Sequence, residues 1–274
     1  MASTAYNYLA IYDGVPSGAA GVILNDNFSD ISDLTLDSIQ GLHTSNGTDA
    51  SHDIDITTGA ATDSTNASVL VLSSAITKQI DSSWSVGTAA GGLDTGSVTT
   101  STWYAIWLIK RSDTGVVDAL FSTSFSSPTM PTNYDYKRRI WAVLTDGSSN
   151  ITAYEQVDDN CNWQEVVTDL NDTTPPTSLT ALTVQVPPIR CLWVGYGQAK
   201  SSSGSGVLNL APGNHAGGFY LSSHTDMSTG VRVTAPMWTT SAGQVYYSGS
   251  KASGWSSFQI RTIHYTDPRG KAVE

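Results

Sequence analysis

An all-β fold, an antiparallel β-sandwich or jelly roll, is predicted for this chain from three observations. Short runs of β-branched and aromatic residues are separated by turn signals roughly every ten residues. Charged residues make up only 14% of the 274, while Trp and Tyr number 8 and 12. The clearest block is a hairpin: Trp103-Tyr104-Ala105-Ile106-Trp107-Leu108-Ile109 and Val116-Val117-Asp118-Ala119-Leu120-Phe121 flank Ser112-Asp113-Thr114-Gly115. In that turn the Asp can bond its own backbone and the Gly can take φ > 0.

Residues 1–33 differ in pattern from the rest of the chain. Gly14, Pro16, Gly18 and Gly21 suggest a loop, and Leu24, Phe28 and Ile31 fall at helical spacing behind the potential caps Asn25 and Asp26. The segment reads either as an attachment or oligomerisation piece or as a first strand and helix packed on the main domain. From Leu34 the pattern is β, and one sandwich domain is expected over 34–274, with a possible split near 172–178. Ile54 and Ile56 alternate with Asp53 and Asp55, so the isoleucines face inward. Val69-Leu70-Val71-Leu72 reads as a strand covered on both faces. Residues 75–84 form another strand or a short helix. Further strands are expected at 103–111, 116–122, 137–145, 151–157, 163–168, 179–186 and 190–196. The second half continues with strands at 206–210, 217–221, 230–234, 244–247 and 256–265. Lys137-Arg138-Arg139 reads as a solvated edge, the serine-rich 200–206 as a flexible loop, and the tail after Pro268 as frayed.

The net charge of −11 disfavours nucleic acid and anionic membranes as partners. No run is long enough to span a membrane, and the start lacks a basic, apolar leader, so synthesis in a cytoplasm is expected. Cys161 and Cys191 are then expected to be buried thiols rather than a disulfide, and neither has a CxxC partner for zinc.

No motif carries obvious chemistry. The five histidines show no metal-ligand spacing, and neither a nucleophile elbow nor a phosphate loop is present. Asp53 with Asp55, and Asp158-Asp159-Asn160 with Asn162, offer cation-ligand types but read equally as a solvated strand face and an Asx turn. No catalytic residue, metal ligand or cofactor is assigned. Trp103, Trp107, Trp141 and Trp193 lie within strand patterns and are expected in the core. Trp163, Trp238, Tyr246, Tyr247 and Trp255 lie near turns rich in Gly, Ser, Thr, Asn and Gln. Rings beside amides and hydroxyls suit sugars, because the ring stacks on the pyranose face while polar groups read its hydroxyls. These five are the carbohydrate-binding candidates; packing at sandwich edges or a subunit interface is the alternative.

Gly92-Leu93-Asp94-Thr95-Gly96-Ser97-Val98, Thr102-Trp103-Tyr104 and Lys110-Arg111-Ser112-Asp113-Thr114-Gly115-Val116-Val117-Asp118 together resemble a block of tailed-bacteriophage virion appendage proteins. So do Pro128-Thr129-Met130-Pro131-Thr132-Asn133-Tyr134, Arg138-Arg139-Ile140 and Thr145-Asp146-Gly147-Ser148, and Leu24-Asn25-Asp26-Asn27-Phe28 is similar to segments near the start of tail fibres. The resemblance spans residues 22–156 and implies a tail fibre, head fibre or spike: a non-enzymatic virion protein and homotrimer. Such a protein would attach to other virion proteins through residues 1–33 and meet host-surface polysaccharide with distal β-domains. A purely structural head-decoration, collar or baseplate protein is the alternative reading. A polysaccharide-degrading enzyme would need a carboxylate pair that the sequence does not reveal.

Overall fold

The computed structural model describes residues 37–201, 206–212, 220–224, 231–251 and 255–271. The expected attachment segment at 1–33 lies outside the described residues. Among the described residues there is no helix, and nineteen strands form four sheets.

In the first half, β1 (Ile39–Gly41), β4 (Gly59–Thr62) and β5 (Val69–Leu72) form a three-stranded antiparallel sheet. A seven-stranded sheet has the order β10 (Tyr134–Leu144), β8 (Trp103–Arg111), β9 (Val117–Ser122), β7 (Ala90–Leu93), β6 (Ile76–Ser83), β3 (Asp53–Ile56) and β2 (Thr44–Asn46). It is antiparallel except where β7 joins β6 and β9. Residues 76–83 are therefore strand, not helix. The β8–β9 hairpin forms as its sequence predicts, with Ala105 opposite Ser122 and Lys110 opposite Val117, and Gly115 turns it at φ 75°.

The second half is also two sheets. One has the order β11 (Tyr154–Val157), β12 (Asn160–Asp172), β19 (Trp255–Thr266), β14 (Leu192–Ser201) and β17 (Val231–Trp238). The other has β13 (Thr180–Thr183), β18 (Gln244–Lys251), β15 (Gly206–Ala211) and β16 (Tyr220–His224). Sheet membership thus changes between β10 and β11, while 172–178 crosses between two sheets of the same half. One apolar core runs through both halves, from Leu42, Ile54 and Ile106 to Trp193, Phe258 and Tyr265. Trp141 of β10 stacks on Tyr154 of β11, with centroids 6.2 Å apart.

Three local expectations need correction. Val69–Leu72 is covered on one face only: Leu70 and Leu72 are buried while Val69 and Val71 are 48% and 55% exposed, because β5 is the edge of a small sheet. The strand covered on both faces is β8. Tyr104, Ile106 and Leu108 enter the main core, and Ala105, Trp107 and Ile109 pack in a second cluster with Leu120 and Tyr134, beneath Phe125 and Met130 of the loop after β9.

The run 137–139 is an edge by topology, but Arg138 and Arg139 are buried, at 0% and 3% exposure. The reason is the third correction: residues 267–271 are not frayed but lie over this edge. Arg139 Nη1 and Nη2 donate to the two Asp267 carboxylate oxygens at 2.8 and 2.6 Å. Arg269 donates through Nε to Ile140 O and through Nη2 to Gly41 O and Leu42 O. Arg138 reaches Asp37 Oδ1 and Arg269 O, and Lys271 pairs with Asp159 at 2.5 Å. Covering an edge strand in this way, with Arg269 on the Ile140 carbonyl, is one means by which sheets blunt their edges.

The Arg139–Asp267 pair is closed to solvent, so removing one partner strands a buried charge. Arg139→Met is expected to lower the unfolding free energy by about 3–5 kcal/mol. Arg139→Met combined with Asp267→Asn should recover part of that loss. Urea unfolding of the wild type, Arg139→Met, Asp267→Asn and the double variant measures the coupling.

Candidate functional site

Where the two halves meet, an open groove of about 620 Å³ is walled by four segments. Ser101 and Trp103 come from the start of β8; Leu144, Thr145, Asp146 and Thr152 come from the end of β10 and the turn after it. Thr168 and Asp169 belong to β12, and Thr183, Val184 and Gln185 to β13 and the residues just after it. Its size falls in the range of small-molecule sites.

Each wall is set by local hydrogen bonding. Asp146 Oδ1 accepts from the backbone N–H groups of Ser148 and Asn150 at 2.7 and 2.9 Å, closing an Asx turn. Those bonds hold its carboxyl below the usual carboxylate range. Thr145 Oγ1 donates to Thr99 O at 2.6 Å and accepts from Thr102 N at 3.0 Å, tying the two first-half segments together. Trp103 rests on Trp163 and Tyr265, with ring centroids 5.9 and 6.2 Å away.

Asp169 is the most constrained polar group in the groove. Its Oδ1 accepts from Gln185 N at 2.7 Å and its Oδ2 from Thr262 Oγ1 at 2.8 Å; Thr262 in turn accepts from Trp193 Nε1 at 2.7 Å. Burial pushes its carboxyl up to about 6, against these hydrogen bonds. The groove therefore combines a large ring, four threonines, an amide and two carboxylates in different environments. Such a lining recognises a polyhydroxylated ring: aromatic area for the apolar face and short hydroxyl groups for its substituents.

The four aromatic candidates whose side chains are described are not brought together. Trp163 is 9% exposed; its ring lies against Trp103, with Nε1 donating to Gln185 O at 3.3 Å, so it supports the groove from behind. Tyr247 is buried against Phe258. Tyr246 is half-buried on β18 opposite Ala181 and Ala211. Trp238, 39% exposed at the end of β17, carries the Arg190 guanidinium over its ring at 5.4 Å. Trp255 opens β19, and its side chain lies outside the described part of the structure. The groove's own ring, Trp103, was expected in the core, and Asp169 and Gln185 carried no motif.

The acidic clusters are engaged locally. Asp55 accepts from Thr77 Oγ1, Asp159 meets Lys271 and Arg269, and Asn160 accepts from Thr266 Oγ1. No group of three or more His, Cys, Asp or Glu among the described residues is placed to hold a metal ion. Cys161 and Cys191 are free, buried thiols, and burial raises Cys161 to about 12.

Asp169 titrates higher in the folded protein than in the unfolded chain. Its contribution to stability is therefore full below about pH 4 and is lost as pH rises through about 6. Asp169→Asn removes that loss. Between pH 4 and 7 the variant is expected to gain on the wild type by about 1–3 kcal/mol, measured as the difference in unfolding free energy.

No protein-family model and no curated protein matches the chain.

Proposed function

We propose that this protein is a virion appendage, a short tail or head fibre or spike of the tailed-bacteriophage kind, that contacts host-surface glycans through the groove between its halves. The observation that carries the reading is the Trp103 ring set among Thr145, Thr152, Thr168, Thr183 and Gln185, a lining suited to a neutral sugar. The phage-like block over residues 22–156 supports the virion setting, assembly as a homotrimer, and attachment to other virion proteins through residues 1–33. The charge of −11 fits a partner that is neither nucleic acid nor anionic lipid.

Thr168 and Thr183 are exposed strand residues on the groove wall. Arginine at either position fills the space without entering the core. Labelled protein should bind encapsulated bacterial strains saturably and fail on their acapsular derivatives. Thr168→Arg and Thr183→Arg should each weaken that binding about tenfold or more with thermal unfolding unchanged. Normal binding by both variants would place the contact elsewhere. Tight incorporation into virions with no affinity for cells would favour a head-decoration, collar or baseplate role. A monomer by light scattering at micromolar concentration would count against the fibre.

A hydrolytic reading has one observation in its favour: Asp146 and Asp169 line the same groove with carboxyls shifted in opposite directions. Release of reducing ends from capsule by the wild type, absent in Asp169→Asn, would establish it.

A further inference from the structure

A second groove, of about 580 Å³, lies over the other face of the seven-stranded sheet, beside the cluster of Trp107, Ile109 and Tyr134. Its walls are Trp84 and Val86 after β6, Val116 in the β8–β9 turn, and Pro131 and Tyr134 before and at the start of β10. Arg111 reaches in from the end of β8, directly opposite Tyr134 in register.

This groove is built before anything enters it. Lys78 is fully buried; its Nζ donates to Ser85 O at 2.7 Å and Gly87 O at 3.2 Å and pairs with Asp118 at 3.3 Å. Asp118 also accepts from Gly87 N at 2.8 Å, so a buried ion pair pins the 84–88 loop from beneath. Trp84 Nε1 donates to Ala119 O at 3.0 Å, and its ring meets Tyr134 edge-on with centroids 5.3 Å apart. The result of this support is an apolar rim held out to solvent: Val86 is 63% and Val116 43% exposed.

One polar group at the groove keeps a donor to spare, and a second is sealed beneath its floor. Tyr134 Oη is closed off and has no hydrogen-bond partner among the described residues, although its residue is only 5% exposed. Sealed at that atom, the phenol lies out of reach of a ligand in the groove, and the charged contact the groove offers is the guanidinium. Arg111 donates through Nε and Nη2 to the Asp113 carboxylate at 2.8 and 2.7 Å, leaving Nη1 without a bond to the described residues. Among the described residues Arg111 is the one charged side chain lining the groove, on a chain with net charge −11. An apolar peptide would desolvate the Arg111–Asp113 pair and leave Nη1 unbonded. A ring bearing a carboxylate would take up the donor at Nη1, in the way Asp113 already engages Nε and Nη2.

We propose that this groove is a separate ligand site that takes a carboxylated sugar ring of the uronic acid class. The ring's apolar face lies against Trp84 and the two valines; its carboxylate meets Arg111, and Thr114 and Thr132 supply hydroxyl partners. The site stands whether or not the groove between the halves binds glycan.

The test uses a glucuronate-terminated trisaccharide and the same trisaccharide carboxyl-reduced to glucose, followed by saturation-transfer NMR and tryptophan fluorescence on the full chain. The acidic form is expected to bind about tenfold or more tighter than the reduced form, less tightly as salt rises. Arg111→Gln should abolish the preference, and Val86→Glu should weaken both forms; both substitutions are at solvent-exposed or half-exposed positions. Thr168→Arg should leave this binding unchanged, which separates it from the first groove. Equal affinity for the two forms, binding of neither, or a preference retained in Arg111→Gln would each overturn the proposal. A smaller oligomer for Val86→Glu by light scattering would also overturn it, in favour of a second copy of the chain covering the groove.

Discussion

The arginine–aspartate junction at residues 138–139 and 267–269 is the constraint on which the rest of the structure depends. Three guanidinium groups are buried where the last strand turns back over β10, and each is satisfied by groups distant in sequence. Removing charge from water is costly, and the cost is met only when geometry is good and the remaining donors are bonded. Here Asp267 bonds both Arg139 and the Arg269 backbone, and Arg269 caps carbonyls from β10 and from the residues after β1. The position of the second half against the first is therefore fixed by directional bonds as well as by apolar contact.

That fixed junction is what allows a groove to exist between the halves. Trp103, Trp163 and Tyr265 come from three strands in two sheets, and their mutual packing needs the halves in one register. Asp169 is held there by a chain of bonds through Thr262 to Trp193, which keeps a carboxylate in a place that raises its pKa. The second groove rests on a different buried pair, Lys78 with Asp118, used to hold a loop rather than a whole half. Both depend on ionic groups that composition alone would place on the surface.

Strand patterns were readable because period-two alternation and turn chemistry are local. The β8–β9 hairpin and the alternation of Ile54 and Ile56 follow from neighbours in sequence. What could not be read was covering. Val69 and Val71 look like core residues, yet their sheet has only three strands and leaves one face open. Arg138 and Arg139 look like surface residues, yet a turn more than a hundred positions later encloses them. The same blindness separates the aromatic candidates from the groove. Trp163 beside its turn looked accessible but is buried, while Trp103 packs against the core as its strand suggests and still shows part of its ring to the groove. Asp169 sits mid-strand with no motif, and its significance arises wholly from what closes over it.

The junction also imposes an order on biogenesis. Arg139 leaves the ribosome 128 residues ahead of the aspartate that neutralises it. At the elongation speeds of ordinary synthesis, about 5–20 residues per second, the Arg139 guanidinium waits seconds without its counter-charge. Chains that stop before Asp267 keep an unsealed strand edge and never complete the joint. The closing turn thus makes burial of the Arg139 charge wait on residues 267–269.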